Sequence, residues 1–480
     1  MRSYLLPTRI ENNSINLYRA KDVPLMQYAP TLSKKLRQFS MVCFPILVTQ
    51  VGLFAMNFFD TMMSGHSSAA DLAGVAIGSS IWVPLYTGLS GILFALTPVV
   101  AHHLGANRKE MIPYSVIQGI YLAFAISALV FICGMFLLTP LLDMMNLDLH
   151  VRVIAHDYLK ALSFGLVPLF MYQVLRSFID ALGRTRVTML ITLLALPINI
   201  TLNYIFIFGK FGFPRLGGVG AGYATTITYW ICCIIALIII QYSTAFNEYK
   251  LFQKVYGISS AIWKELLKIG IPIGFAIFFE TSIFAAVTLL MSKFDTVTIA
   301  AHQSAINFAS LVYMIPLSIS MALTIAVGFE AGANRLLDAK QYSHIGIFVA
   351  ILLAVITSII LYVYRPEIAS IYTTDEQVKR LAEHFLLYAI FFQFSDAVAA
   401  PIQGALRGYK DVKSTFVMAL VSYWIVGLPL GYYLANETKA QAFGYWIGLI
   451  TGLAAGAIFL LIRLLYVQQR FKEKLEKQCA

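Results

Sequence analysis

Twelve stretches of about twenty or more predominantly apolar residues recur along this 480-residue chain. They lie at roughly 40–64, 71–103, 112–139, 156–182, 187–209, 218–243, 264–292, 297–330, 341–364, 379–406, 413–434 and 441–466. A helix of about twenty apolar residues crosses the hydrocarbon core of a bilayer. Within that core each backbone N–H and C=O must be satisfied inside the segment, so such runs admit little besides transmembrane helices. Charge content agrees: 12% of the residues are charged, about half of what a water-soluble domain carries. The expected fold is therefore all-α and integral to the membrane, with twelve transmembrane helices.

Lysine and arginine set the orientation. With the N-terminus inside, 25 of the 35 basic residues fall in the two tails and the inner loops, which places both termini in the cytoplasm. The net charge of +11 thus reports topology, because the cations lie between apolar runs and form no nucleic-acid-binding face. The segment 1–38 is polar and lacks a short apolar core with a cleavage site, so a cytoplasmic tail is expected there and not a signal peptide. Five cysteines show no metal-ligand or redox spacing. No phosphate loop, dinucleotide fingerprint, zincin motif or catalytic triad is present, so an enzyme is not expected.

The chain repeats itself. Ala95-Leu96-Thr97 and Gly105-Ala106-Asn107-Arg108 return, both at the same offset, as Ala322-Leu323-Thr324 and Gly332-Ala333-Asn334-Arg335. A second echo pairs Gly183-Arg184-Thr185-Arg186-Val187 with Gly408-Tyr409-Lys410-Asp411-Val412. Six spans per repeat give two halves of equal topology, related by an axis along the membrane normal, with a site expected between them. The expected organisation is a tail over 1–38, a first lobe over 39–243, a linker over 244–263, a second lobe over 264–466 and a tail over 467–480.

Ionisable side chains deep in a span are costly and mark ion or proton paths. Asp60, Glu280 and Asp396 are three such carboxylates, in the first, seventh and tenth runs, with no evident basic neighbour on their own helices. Asp60 lies some twenty residues into its run, at a depth similar to that of Asn199, Asn203 and Thr225. The two asparagines, four apart, share a helix face. A carboxylate, two amides and a hydroxyl suit a hard cation, and the same Asp60 could instead exchange a proton. Glu280, His302, Gln303, Asn307 and Asp396 are expected to form a second polar cluster, although amides at such depth also join helices. Pro197 and Pro401 would free backbone carbonyls near the two clusters. Asp180, Asp295 and Glu330 lie at helix ends and read as interfacial.

The run Asn57-Phe58-Phe59-Asp60-Thr61-Met62-Met63-Ser64-Gly65 resembles the first-helix signature of multidrug and toxic compound extrusion (MATE) transporters. The likeness continues through Ser80-Ile81-Trp82-Val83-Pro84, Leu175-Arg176-Ser177-Phe178, Gly217-Gly218-Val219-Gly220, Phe278-Phe279-Glu280, Ala300-Ala301-His302-Gln303 and Asp396-Ala397-Val398. It covers about residues 33–470 and is most similar to the NorM-like bacterial branch. The resemblance implies two pseudo-symmetric six-helix bundles in a V and export of organic, often cationic drugs in exchange for Na+ or H+, with no cofactor, from a bacterial plasma membrane. A monomer is the expected form. By motif match it implies a cation or proton site at Asp60, Asn199, Asn203 and Thr225, and second-lobe carboxylates Glu280 and Asp396 for Na+ or cationic substrate. Relatives of this branch often have tyrosine four residues before the tenth-helix aspartate, where this chain has Phe392, so no phenolic oxygen is available there. That departure favours Na+ at Asp60 over Na+ at Glu280 and Asp396. The alternative is a lipid-linked precursor flippase of the same superfamily.

Overall fold

Helices account for the regular structure of the computed structural model, which describes residues 26–145, 147–254 and 256–479. The spans are Leu32–Ser67, Ala69–Phe94 continued by Leu96–Gly105, Met111–Asp143, a bent pair Leu149–Ser163 and Leu166–Ala181, Thr185–Phe208 and Gly218–Tyr242. The second set is Ser260–Met291, Thr296–Gly332, Leu336–Tyr372, Glu376–Gly408, Lys413–Glu437 and Ala442–Cys479. Eleven are long and apolar enough to cross a membrane, and the bent pair, turning by 51°, makes the twelfth. Many exceed what a bilayer needs: at a rise of ~1.5 Å per residue, the 37 residues of Thr296–Gly332 are roughly 55 Å long. These are the two six-helix bundles of the expected V.

Helix ends depart from the sequence reading because apolarity marks the membrane and not the helix. The first helix starts at Leu32, inside the segment read as tail, with Thr31 Oγ1 accepting from the Lys34 N–H at 3.4 Å. Residues just before it are docked: Met26 and Ala29 are buried, Gln38 donates to the Gln27 carbonyl (3.1 Å), and Arg335 lies over the Tyr28 ring. Residues 1–25 of the expected tail lie outside the described residues. At the other end the last helix runs on to Cys479 through most of the segment read as a tail. A short helix, Thr244–Asn247, sits in the linker, and the seventh span opens at Ser260 before the linker's expected end.

Two acids read as interfacial do lie at helix ends, and both are also buried against protein. Asp180 takes Arg176 Nε at 3.4 Å and Thr188 Oγ1 at 2.7 Å, and Glu330 takes Arg335 Nε at 2.5 Å. Each sits next to a turn that folds back over the helix end, and neighbouring cations meet it there. Asp295 precedes its helix and accepts from Thr298 at 2.5 Å, as expected of a residue at a helix start.

The duplicated motifs meet in space. Asn107 and Asn334 both adopt left-handed backbone, φ 56° and 58°, each closing the turn after its Gly-Ala pair. Gly105 lies directly against the Phe329 carbonyl, and Gly332 against the backbone of His102, so neither site has room for a Cβ. His102 Nε2 also bonds to the Gly408 carbonyl at 2.7 Å. Farther along, Gly91 packs on Gly274, letting the second and seventh spans cross closely.

The side-chain hydrogen bonds that join lobe to lobe lie at the end carrying the termini. Lys35 Nζ, 2% exposed, reaches both Asp338 Oδ1 and Gln341 Oε1, and Tyr342 donates to Gln38 at 2.7 Å. With the His102 contact, these bonds hold the lobes together on that side. The carboxylates of both lobes sit beyond them, toward the other side.

Candidate ion and substrate sites

Asp60 stands seven residues before the end of the first helix, farther along than its run suggested, because that helix began early. Its two carboxylate oxygens are each engaged by a different helix. Oδ1 accepts from Asn203 Nδ2 at 2.5 Å, and Oδ2 accepts from Thr225 Oγ1 at 2.7 Å. Asn203 Nδ2 also donates to Asn199 Oδ1 at 3.2 Å, and Asn199 Nδ2 reaches Thr225 Oγ1 at 3.5 Å. The four residues singled out in the first lobe are thus one connected group, with Asp60, Asn199 and Asn203 buried.

Local sequence explains the convergence. Asn199 and Asn203 share a face of the fifth span just after Pro197, which lacks the N–H of a normal helix residue. Gly217, at φ 57°, turns the chain into the sixth span, and the Gly218 N–H is held by Asp71 Oδ1 at 2.6 Å. Gly220 then rests on the backbone of Phe206 and Ile207, bringing Thr225 up to Asp60. Tyr158, hydrogen-bonded to Ser79 at 3.3 Å, and the Trp82–Tyr86 pair add aromatic surface from neighbouring helices.

One atom in this group lacks a partner. Asn203 Oδ1 is buried and accepts no hydrogen bond. A buried carbonyl left so costs about 1–3 kcal/mol. The set therefore has oxygen ligands and an unmet acceptor, which fits a bare cation and equally fits a proton on Asp60 with a turned amide.

The second lobe is arranged differently. Glu280 Oε1 accepts from Tyr313 Oη at 2.6 Å, and Asp396 accepts no hydrogen bond among the described residues although it is buried. Asp396 lines a narrow cleft with Tyr313, Thr357 and Gln393, whose Nε2 is also unpartnered. Arg407 lies eleven residues beyond Asp396 on the same helix, about three turns away, so Asp396 has no close basic neighbour on its own helix. Arg407 is itself bonded to Gln403 at 3.2 Å and lies over the Phe94 ring.

The structure does not gather the other expected members here. His302 accepts from Trp446 Nε1 at 3.1 Å and packs edge-on to Phe385, an aromatic core role. Gln303 is exposed and Asn307 half-buried, and neither bonds to Glu280 or Asp396. Phe392 packs edge-to-face against Phe284 (5.7 Å) and Trp446 (6.3 Å), within that aromatic group. Sequence reading missed Tyr313, although its counterpart in the first repeat, Tyr86, was available as a signal. It also missed a π-helical stretch, Val421–Gly427, which buries Tyr423 and carries Trp424, the donor to the Phe279 carbonyl at 3.1 Å. Such stretches recur at functional sites but have no reliable sequence period.

Comparison with known proteins follows the same duplication. The MatE family model matches residues 45–205 and 272–433, one stretch in each lobe, and the two matches start at equivalent positions of the repeat. Among curated relatives, "Probable multidrug resistance protein NorM" of Bacillus thuringiensis subsp. konkukian is 59% identical over 446 residues, 93% of this chain and 98% of that protein. The protein of the same name from Bacillus subtilis is 58% identical over 449 residues, 94% and 99% of the two chains. Among solved structures, "Crystal structure of MATE in the straight conformation" superposes with a TM-score of 0.84 at 18% identity, covering 94% of this chain and 98% of that one. "Crystal structure of eukaryotic MATE transporter AtDTX14" gives 0.80 at 20% identity, over 92% and 98%. Matched by one family model in both lobes, and by relatives of nearly equal length at well over half identity, the chain belongs to the multidrug and toxic compound extrusion (MATE) family, in its NorM-like bacterial branch.

Proposed function

We propose that this chain is a secondary active antiporter, working as a monomer in a bacterial plasma membrane with both termini cytoplasmic. It exports organic, often cationic, compounds in exchange for Na+ or H+. The observation that carries the reading is the Asp60 group: a buried carboxylate, held from two other helices, beside an amide oxygen with no partner. With the termini inside, the hydrogen-bonded end of the lobe contact faces the cytoplasm. A cation or proton taken up at Asp60 would favour the state that holds it best, and a drug bound in the other state would be released. The scheme requires only that each ligand differ in affinity between the two states. The curated relatives' names, which speak of multidrug resistance, support the drug side of the exchange.

Charge supports cationic cargo over a phosphate-bearing lipid precursor. The deep carboxylates Glu280 and Asp396 are buried, whereas the buried arginines are engaged, Arg176 with Asp180 and Gln50 and Arg407 with Gln403. Phosphate recognition needs cations with free donors. The deciding experiment is drug efflux from proteoliposomes under a Na+ gradient alone and a H+ gradient alone, in native protein and Asp60→Asn. Flux with one gradient, lost in the variant, supports the antiporter. Gradient-independent flux, or a variant that couples like the native chain, overturns it.

A further inference from the structure

Away from the carboxylates, the surface of the second lobe holds a cleft of about 650 Å³ between the start of the seventh span and the start of the eleventh. Lys264 and Lys268, four apart on one face of the seventh helix, line it together with Lys413, the first residue of the eleventh. Trp263, Leu267 and Ile271 continue the lining along the seventh helix toward the bilayer. Cationic and apolar strips of the seventh helix therefore lie side by side in the cleft, with Ile271 and Pro272 extending the apolar one farther along the span.

The three lysines are exposed and make no ion pair or hydrogen bond among the described residues. The nearby acids are already taken. Glu265 pairs with Lys410 at 2.9 Å, and Asp411 with Arg463 at 2.6 Å and with Ser414. Trp263 contributes ring surface to the lining, its indole Nε1 being itself buried. Three unneutralised cations beside an apolar strip form a complementary surface for a phosphodiester with acyl chains attached. A free phosphate would have no use for Leu267 and Ile271. The first lobe does not reproduce the site: the equivalent positions of its repeat keep Arg37 but put Leu36 and Met41 where Trp263 and Lys268 stand, and the second echo puts Thr188 where Lys413 stands.

We propose that this cleft binds the headgroup of an anionic phospholipid from the leaflet on the side of the chain termini. Basic pockets between spans at that depth suit such headgroups, each cation adding attraction near the surface. The lipid would tie the starts of the seventh and eleventh helices together at the lobe's outer edge.

The test uses the full-length protein in detergent micelles and its tryptophan fluorescence, with phosphatidylglycerol or phosphatidylcholine brominated on the acyl chains near the headgroup. Brominated phosphatidylglycerol should quench at roughly tenfold lower mole fraction than brominated phosphatidylcholine. The Trp263→Phe variant should lose the saturable part of the quenching. Lys264→Gln with Lys268→Gln and Lys413→Gln should erase the preference, and the corresponding triple arginine variant should keep it. Equal quenching by the two lipids, or a triple glutamine variant that still prefers the anionic one, would overturn the proposal. So would displacement by millimolar inorganic phosphate, which would make this a free-anion site. If the variants do not fold, native mass spectrometry of the unaltered protein still decides: retained phosphatidylglycerol over phosphatidylcholine supports the site, and no difference refutes it.

Discussion

Replacing Lys35 with alanine should loosen the two lobes at the side that carries the termini. Lys35 Nζ is almost fully enclosed and bonds Asp338 and Gln341 across the lobe boundary. Removing one partner of a buried ion pair costs about 3–5 kcal/mol, mostly because the other charge is stranded. Asp338 remains 20% exposed, so water recovers part of that, and about 2 kcal/mol is a reasonable net loss. If the pair is broken when the lobes part, the equilibrium shifts roughly thirtyfold toward the parted state, and a population near 1% becomes roughly a quarter. Spin labels in place of the exposed Arg37 and Lys340, in a background freed of native cysteines, would read this as a second, longer distance. Charge exchange, Lys35→Asp with Asp338→Lys, should restore the single short distance. Distance distributions for Lys35→Ala and Asp338→Asn that both superpose on the native one would refute the reasoning.

Thr225→Val strips Asp60 Oδ2 of its hydroxyl donor and should shift ion affinity by about 1–3 kcal/mol, tightening a proton but weakening a Na+ that Thr225 Oγ1 helps ligate, seen as a changed half-saturating gradient in the proteoliposome assay. Tyr313→Phe should perturb Glu280 in the same way and change drug affinity, measured by binding, more than ion coupling. Phe392→Ala opens a hole between Phe284 and Trp446 and should cost about 3–5 kcal/mol, read as a lower melting temperature in detergent, while Phe392→Tyr should leave ion coupling unchanged. Gly105→Ala places a methyl against the Phe329 carbonyl and should sharply reduce the yield of folded protein, judged by size-exclusion profile.

The architecture was legible because a bilayer imposes a length and an apolarity that few other structures satisfy, and the repeat was legible because Gly-Ala-Asn recurs intact. The Asp60 group was legible for a related reason. A carboxylate and two asparagines are rare enough in apolar runs that equal depth nearly implied contact. The second lobe resisted the same logic. Gln303 and Asn307 are as polar as Asn199 and Asn203, yet they bond to neither carboxylate, and Glu280 meets a tyrosine that resembles its many aromatic neighbours. Helix ends were least legible. Lys34, Lys35 and Arg37 look like tail residues, but helical hydrogen bonds continue through them, and Lys35 finds its charge partner on the other lobe.

The glycine contact between the lobes obeys a stricter rule than resemblance. Gly105 touches Phe329, which is the counterpart of His102, and Gly332, the counterpart of Gly105, touches His102. Position i of one half meets position j of the other, and j meets i, as in the isologous interface of a two-fold homodimer. A single half carrying this patch would be complementary to its own copy, so an ancestor of half the length could have assembled as a parallel pair before fusion. The fused chain is then free to let the two halves diverge everywhere except on that axis. Its sites reflect this freedom: the counterpart of Asp60 is Val287, and that of Glu280 is Leu53. The polar chemistry has thus parted company between halves that still share one self-complementary contact.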